Sequence, residues 1–389
     1  MGFRSCDRGF KYSFMAMIHP KHDRRSFLKA TGLTGLALAA PAVSASGDDQ
    51  VAPTTDRIKD DARRVGAWYI TVFYSAGFDN PHWRAVRDRG GALPLGGPES
   101  SADPAVMERQ FRQMRECGIE FLVMDDTNCV WVDNCRIDGL IRTWFDFMDA
   151  KPAEERIPIA IAAGGELNQH NRRDAWLEAV DYLWQEYSAR PSAMRVGGRP
   201  VLHWYVEKDV WPEWTDARWT IRRTNHFLWS ARQPVDGGWG YGADPNLPGI
   251  KECMSFWPGW DLSPPGIARE GGDLYRRQWI KALKLQPRHI LLSDWSGWCE
   301  GTAIEDSDRW IDTYGDPAPA WYRLLTQGYV AAYNGRLVKG FYYRDQAQGH
   351  VYRWDGIAAA HVTAYPRGIP VIVLPEGMLT SLSQTSRSG

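Results

Sequence analysis

Ile290-Leu291-Leu292-Ser293-Asp294-Trp295-Ser296-Gly297-Trp298-Cys299-Glu300-Gly301-Thr302 decides how this chain is read. The stretch opens as a short apolar run and ends it in Ser293-Asp294. That is the pattern of a strand buried on both faces, delivering polar groups at its C-terminal tip. Trp295, Trp298, Asp294 and Glu300 then fall within a few residues of one another. Flat aromatic faces beside carboxylates suit a site that holds sugar rings and moves protons at a glycosidic oxygen.

Working outward, the same unit recurs. Val65 to Tyr74 reads as the first strand, and a Gly- and Pro-rich loop from Ser75 to Ala102 follows it. Asp103-Pro104 then starts a helix, with Asp as N-cap and Pro at the first helical position. That helix runs to about Glu116, stops at Gly118 and feeds the strand Ile119 to Met124, which ends in Asp125-Asp126. A helix from Ile137 to Ala150 leads to the strand Ile157 to Ala163 and then Glu166. Another, from Asp174 to Tyr187, leads to Pro200 to Val206, with Glu207 just past its end. Asn225 to Ser230 and Glu252 to Trp257 read as further strands, and an additional one is expected near Trp219 to Arg222. Helices from Asp273 to Leu285 and from Ala318 to Asn334 flank the opening stretch.

Apolar strands alternating with helices, each strand tipped with polar residues, predict an α/β fold with a parallel sheet. No GxGxxG or GxxxxGK[ST] follows any strand, which argues against a nucleotide-binding doubly wound sheet. Polar tips on many different strands fit a (β/α)8 TIM-like barrel over 65–336. Beyond 337 the texture changes to short strands separated by Gly and Asp, the mark of a small C-terminal β appendage over 337–389.

The chain has 389 residues, with 46 basic against 47 acidic side chains. That balance gives no reason to expect nucleic acid or an anionic membrane as partner. The 20 tryptophans are an outlier, explained by core filling or by a ring-binding cleft. Arg24-Arg25-Ser26-Phe27-Leu28-Lys29, a mildly apolar run to Ala42 and the small-x-small end Val43-Ser44-Ala45 predict a cleavable export signal over 1–45. The paired arginines resemble the twin-arginine type, which implies the twin-arginine translocase as a transient partner and a periplasmic or secreted product cut after Ala45. The apolar run is too short to span a bilayer, and 46–64 reads as a linker. Of the six cysteines, all but Cys6 lie beyond the leader; an odd remainder is no disulfide framework, and no spacing suggests a metal.

Trp298-Cys299-Glu300-Gly301-Thr302-Ala303-Ile304-Glu305 resembles the Asn-Glu-Trp-His-Glu-Gly-Thr-x-Ile-Glu signature of glycoside hydrolase family 99 and the WbsX-type proteins. Gln113-Met114-Arg115 with Gly118-Ile119, Arg199 to Tyr205 and Trp257-Pro258-Gly259-Trp260 match further family segments in order. The resemblance implies a (β/α)8 barrel that cleaves internal α-mannosidic bonds with retention. One Glu deprotonates the sugar 2-hydroxyl, and the Glu three residues later acts as general acid and then base. By position the acid/base falls on Glu300, while the partner falls on Gly297, which carries no carboxylate.

Asp294, at the tip of the same strand, and Glu207, at the tip of another, are the first candidates to supply the missing group. Asp125, Asp126 and Glu166, also at strand tips, widen the list. Trp298, Trp295, Tyr205, Asp125, Asp126, Glu166, Tyr74, Trp83, Trp257 and Trp260 are the candidate sugar contacts. Asp125-Asp126 suits sugar hydroxyls or a hard cation, and strand alternation sends one side chain inward and leaves the other structural. The sequence thus predicts an exported glycoside hydrolase acting on a poly- or oligosaccharide, needing no cofactor. The alternative is a carbohydrate-binding barrel that has lost its second catalytic carboxylate. Hydrolysis through a metal would need at least three converging ligands, which the sequence does not group locally.

Overall fold

A computed structural model of the protein describes residues 63–127, 135–164, 172–206, 214–225, 240–242, 253–261 and 266–385. Its main sheet uses β1 (Arg64–Tyr69), β2 (Phe121–Asp126), β3 (Ile159–Ala163), β4 (Arg195–Val196), β5 (Arg199–Val206), β6 (Thr220–Asn225), β7 (Gly240–Gly242), β8 (Cys253–Phe256) and β9 (His289–Leu292). The hydrogen-bonded order is β7-β6-β5-β3-β2-β1-β9-β8, with β4 paired to β5. Every pairing is parallel except those of β4 with β5 and β7 with β6.

The first strand therefore lies between the second and the last, the circular order of a sheet curling on itself. Side-chain contacts report the curl directly. Trp68 on β1 meets His203 on β5 edge-to-face at 6.5 Å, although two strands separate them. In a flat sheet three strand spacings of about 4.8 Å would hold them roughly 14 Å apart. The path ends at β7 and β8 without pairing them among the described residues, so the parallel α/β core is present and the ring is not closed there.

The two sheet faces are told apart by register. Trp68 pairs with Val123, and Asp125 with Ala162, which pairs in turn with His203, so these share the concave face. That face is crowded: a side chain on Gly66 would meet the Phe121 ring at 2.2 Å. Tyr69, Met124 and Asp126 take the other face, toward the helices.

The helices are α1 (Pro81–Asp88), α2 (Pro104–Cys117), α3 (Cys135–Asp149), α4 (Arg173–Tyr187), α5 (Asp273–Leu285) and α6 (Trp321–Tyr333). Tyr69 donates to Gln110 of α2 at 2.7 Å and packs against Trp144 of α3 at 4.9 Å. Asp103 caps α2 by accepting from the Ala105 N–H at 2.8 Å, and Gly118 ends it with φ 75°, a left-handed conformation that suits glycine.

Two expectations need correction. The stretch Ser75–Ala102 is not all loop, because α1 starts inside it on an Asn80 cap with Pro81 at its head. The first strand stops at Tyr69 rather than Tyr74. The additional strand falls at Thr220–Asn225, and most of the one expected at Asn225–Ser230 lies outside the described residues.

Past α6 a second sheet forms from β10 (Tyr342–Asp345), β11 (Val351–Trp354), β12 (Ala359–Val362) and β13 (Val371–Leu374), followed by α7 (Met378–Thr385). Its order is β12-β11-β10-β13. Ile372 seats so closely on α6 that a side chain at Gly328 would meet it at 2.5 Å. Among the described residues no helix is long and apolar enough to cross a membrane.

Candidate active site

The stretch that follows β9 folds into a tight turn at the tip of the sheet. Trp295 N–H donates to the Trp68 carbonyl at 2.9 Å, extending the strand's pairing by one bond. The Gly297 carbonyl then accepts from Glu300 N–H at 3.2 Å and Thr302 N–H at 3.0 Å, and Gly301 turns the chain with φ 72°.

Side chains pin this turn from several sides. Arg89, just past α1, donates to the Trp298 carbonyl at 2.6 Å and to Asp261 at 3.3 Å. Asp261 N–H in turn holds the Glu300 carbonyl at 2.9 Å. Arg269 donates to the carbonyls of Gly301 and Ala303 at 2.8 and 2.9 Å, with its guanidinium 3.9 Å over the Trp310 ring. Farther on, buried Glu305 accepts from Arg109 at 3.0 Å and Gln110 at 2.9 Å.

Three carboxylates answer one another here. Asp294 is 3% exposed and half-buried Glu300 lies six residues later on the turn. Asp125, on the concave face of β2, is near enough for its charge to act on both. Burial, Glu300 and Asp125 push Asp294 well above the usual carboxylate range, against the pull of the Thr302 hydroxyl. Burial and the Asp125 charge raise Glu300 to about 7, with Arg89 drawing it down. Burial raises Asp125 as well, opposed by its bonds from Thr127 and Trp68. A buried pair of this kind holds a proton at neutral pH, as one group that donates beside one that accepts requires.

Gly297, where the resemblance places the second catalytic carboxylate, has no room for a side chain. A Cβ there would lie 2.0 Å from Thr302 Oγ1, 2.7 Å from Asp294 Oδ2 and 2.8 Å from Asp294 Cβ. The volume beside Gly297 is filled by the carboxylate of Asp294. The described structure thus brings Asp294, Glu300 and Asp125 together. Glu207 and Glu166 lie outside the described residues.

Other expected contacts are placed elsewhere. Asp126 is 1% exposed on the helix-facing side of β2, where burial, Asp138 and Asp125 push it well up. It is the structural member of its pair, not a sugar contact. Trp295 and Trp298 are 0% and 2% exposed, and Trp298 stacks on Trp310 at 5.8 Å. Trp83 stacks on Phe73 at 4.0 Å with its N–H on the Glu99 carbonyl, and Trp257 is also buried. These four rings fill the core and present no open face. Tyr205 is buried on the concave side, while Tyr74 and Trp260 keep partly exposed rings.

Sequence reasoning missed Arg89, Asp261, Arg269 and Thr302. Only Thr302 carried a signal, as the Thr of the Gly301-Thr302 pair. Among the described residues no group of three or more His, Cys, Asp or Glu is arranged to hold a metal ion.

No protein-family model matches the sequence, and no curated protein sequence matches it. Solved structures do. A GH99 endo-α-mannosidase from Bacteroides thetaiotaomicron, in complex with bis-tris propane, superposes with a TM-score of 0.51 at 17% identity, covering 71% of this chain and 98% of that one. A second structure described as the same GH99 endo-α-mannosidase gives 0.52 at 15% identity over the same shares of the two chains. At these identities the likeness is one of fold: over 71% of its length the chain has a fold similar to that of the GH99 endo-α-mannosidases.

Proposed function

We propose that this protein is an exported glycoside hydrolase that cleaves O-glycosidic bonds within a poly- or oligosaccharide. The observation that carries the reading is the carboxylate pair: Asp294 occupies the space beside Gly297, three residues before Glu300 on the same turn. Glu300, raised to about 7, gives its proton to the glycosidic oxygen as the bond to the leaving sugar breaks. With the pair's one proton on Glu300, ionised Asp294 takes the proton of the sugar 2-hydroxyl, so that the substrate's own oxygen attacks the anomeric carbon. Glu300, now ionised, then takes a proton from the incoming water as it adds to the anomeric carbon. The bond from that carbon to the 2-oxygen breaks, and Asp294 returns its proton to the 2-oxygen. Asp125 stands as a third acid facing the pair. The closed (β/α)8 ring, the twin-arginine leader with cleavage after Ala45 and a periplasmic or extracellular location belong to the same proposal. N-terminal sequencing of the exported protein checks the leader.

A panel of polysaccharides and aryl glycosides, screened with the mature protein, tests the chemistry. Glu300→Gln and Asp294→Asn are each expected to lower kcat by roughly 10²–10⁴-fold on any substrate cleaved. Wild-type turnover by Glu300→Gln would overturn the assignment. The rival reading, a carbohydrate-binding barrel without turnover, predicts binding that both variants leave intact and no reducing ends released by any of the proteins.

A further inference from the structure

Thr302 sits under the carboxylate pair with its hydroxyl shared between two oxygens. Its Oγ1 lies 2.7 Å from Asp294 Oδ2 and 3.2 Å from the Gly297 carbonyl. A threonine hydroxyl has one proton to give and lone pairs to accept another. The Gly297 carbonyl is already served by the N–H groups of Glu300 and Thr302, so it tolerates losing the hydroxyl.

We propose that Thr302 is the positioning residue for Asp294, its hydroxyl reversing direction so that Asp294 is held in one place whether ionised or protonated. When Asp294 is ionised, Thr302 donates to Oδ2. When Oδ2 carries the proton, Asp294 donates to Thr302, and the Thr302 proton turns to the Gly297 carbonyl. No heavy atom moves in either state.

Gly297 is what makes the arrangement possible, since any Cβ there would stand 2.0 Å from the hydroxyl. The absent side chain at 297 and the hydroxyl at 302 are therefore one device. The groups facing Asp294 are Glu300 and the Cys299 thiol from its own turn and Asp125 from β2, with Arg89 acting beyond Glu300.

This rests on the reading of Asp294 as a catalytic carboxylate, yet its test needs no substrate. The infrared carbonyl band of protonated Asp294, assigned with labelled aspartate and by its loss in Asp294→Asn, is followed against pH. Thr302→Val removes the donor to the ionised form, so the midpoint is expected to rise by roughly 1–2 pH units. Thr302→Ser is expected to keep the wild-type midpoint. Gly297→Ala, which displaces the hydroxyl, is expected to raise it as Thr302→Val does, and decides the matter if the valine variant fails to fold. An unmoved or lowered midpoint in the folded variant, or a serine variant that behaves like valine, overturns the proposal. Failure of the glycosidase reading shows separately, as absent or Glu300-independent turnover.

Discussion

Gly297 and Glu300 stand three residues apart and received opposite treatment in this chain. Glu300 keeps the acid, and Gly297 gives up its side chain to the carboxylate of Asp294, whose Oδ2 lies within 2.7 Å of where a Cβ would be. The acid's tuning is a balance of neighbours. Burial and Asp125 raise Glu300 to about 7, and the Arg89 cation opposes them. A general acid works only while it holds its proton, so activity is expected to fall as pH rises through about 7. Arg89→Met removes the opposing charge, and the alkaline limb of kcat/KM is expected to move upward. Arg89→Lys, which keeps the charge, is expected to leave it nearer the wild-type position. A limb unmoved in Arg89→Met would show that the cation does not act on the acid. At this scale the sequence was legible where backbone pattern decides and opaque where packing does. Alternation along β2 correctly sent one of Asp125-Asp126 inward, but no local pattern tells a buried indole from a sugar platform. Trp83, Trp257, Trp295 and Trp298 became core because the sheet and its turns close over them.

The elements show why a turn with so little regular structure holds still. Its far end is tied to α2 through a chain of bonds: Tyr69 donates to Gln110, which donates to Glu305, which also accepts from Arg109. Glu305 closes the signature that carries the family resemblance, and its partners give it an anchoring job rather than a chemical one. Glu305→Ala strands a buried amide and loosens a half-buried guanidinium, and is expected to destabilise the fold by about 1–3 kcal/mol. A lowered denaturant midpoint with an unchanged slope checks this, and an unchanged midpoint would remove the anchor from the account. Such long-range ties between α2 and residues nearly two hundred positions later leave no trace in local sequence. Capping signals do. Asp103-Pro104 revealed α2, and Asn80-Pro81 carries the same two signals for α1. There the short helix was hidden by the Gly- and Pro-rich residues around it. The parallel strands were legible from their apolar runs, whereas the place of β1 between β2 and β9 depends on which strands meet in space.

At the scale of the whole molecule, five acids among the described residues are held high and three, Asp216, Asp312 and Asp355, are held low. Burial raises Asp294, Asp126, Asp125, Glu300 and Glu305. Against desolvation, backbone N–H groups of Asp316, Gly368 and Tyr314 keep Asp312 low. The signs follow from linkage. An acid raised in the folded state contributes stability that is complete below its unfolded value and is lost as pH climbs through its folded one. For Glu300 that window opens at 4.5 and runs through about 7. An acid held low, such as Asp312, contributes above its unfolded value and loses that contribution as pH falls through its folded one. The buried imidazoles of His82 and His203, held low by burial, take stability away as pH falls below the ordinary value of 6.5. Through the raised acids the fold is expected to weaken toward pH 8. Asp126 isolates this effect from the active site, because it faces the helices, and neither of its buried carboxylate oxygens has a hydrogen-bond partner. Asp126→Asn keeps the shape and cannot ionise. It is expected to stabilise the protein at pH 8, where the wild-type group is driven toward its charged form, by about 1–3 kcal/mol. At about pH 2.5, well below the ordinary value of 3.8, that acid is protonated in both states and the two proteins should unfold together. Thermal unfolding across the range decides it: parallel curves for Asp126→Asn and wild type would mean that this buried carboxyl does not set the alkaline limit of the fold.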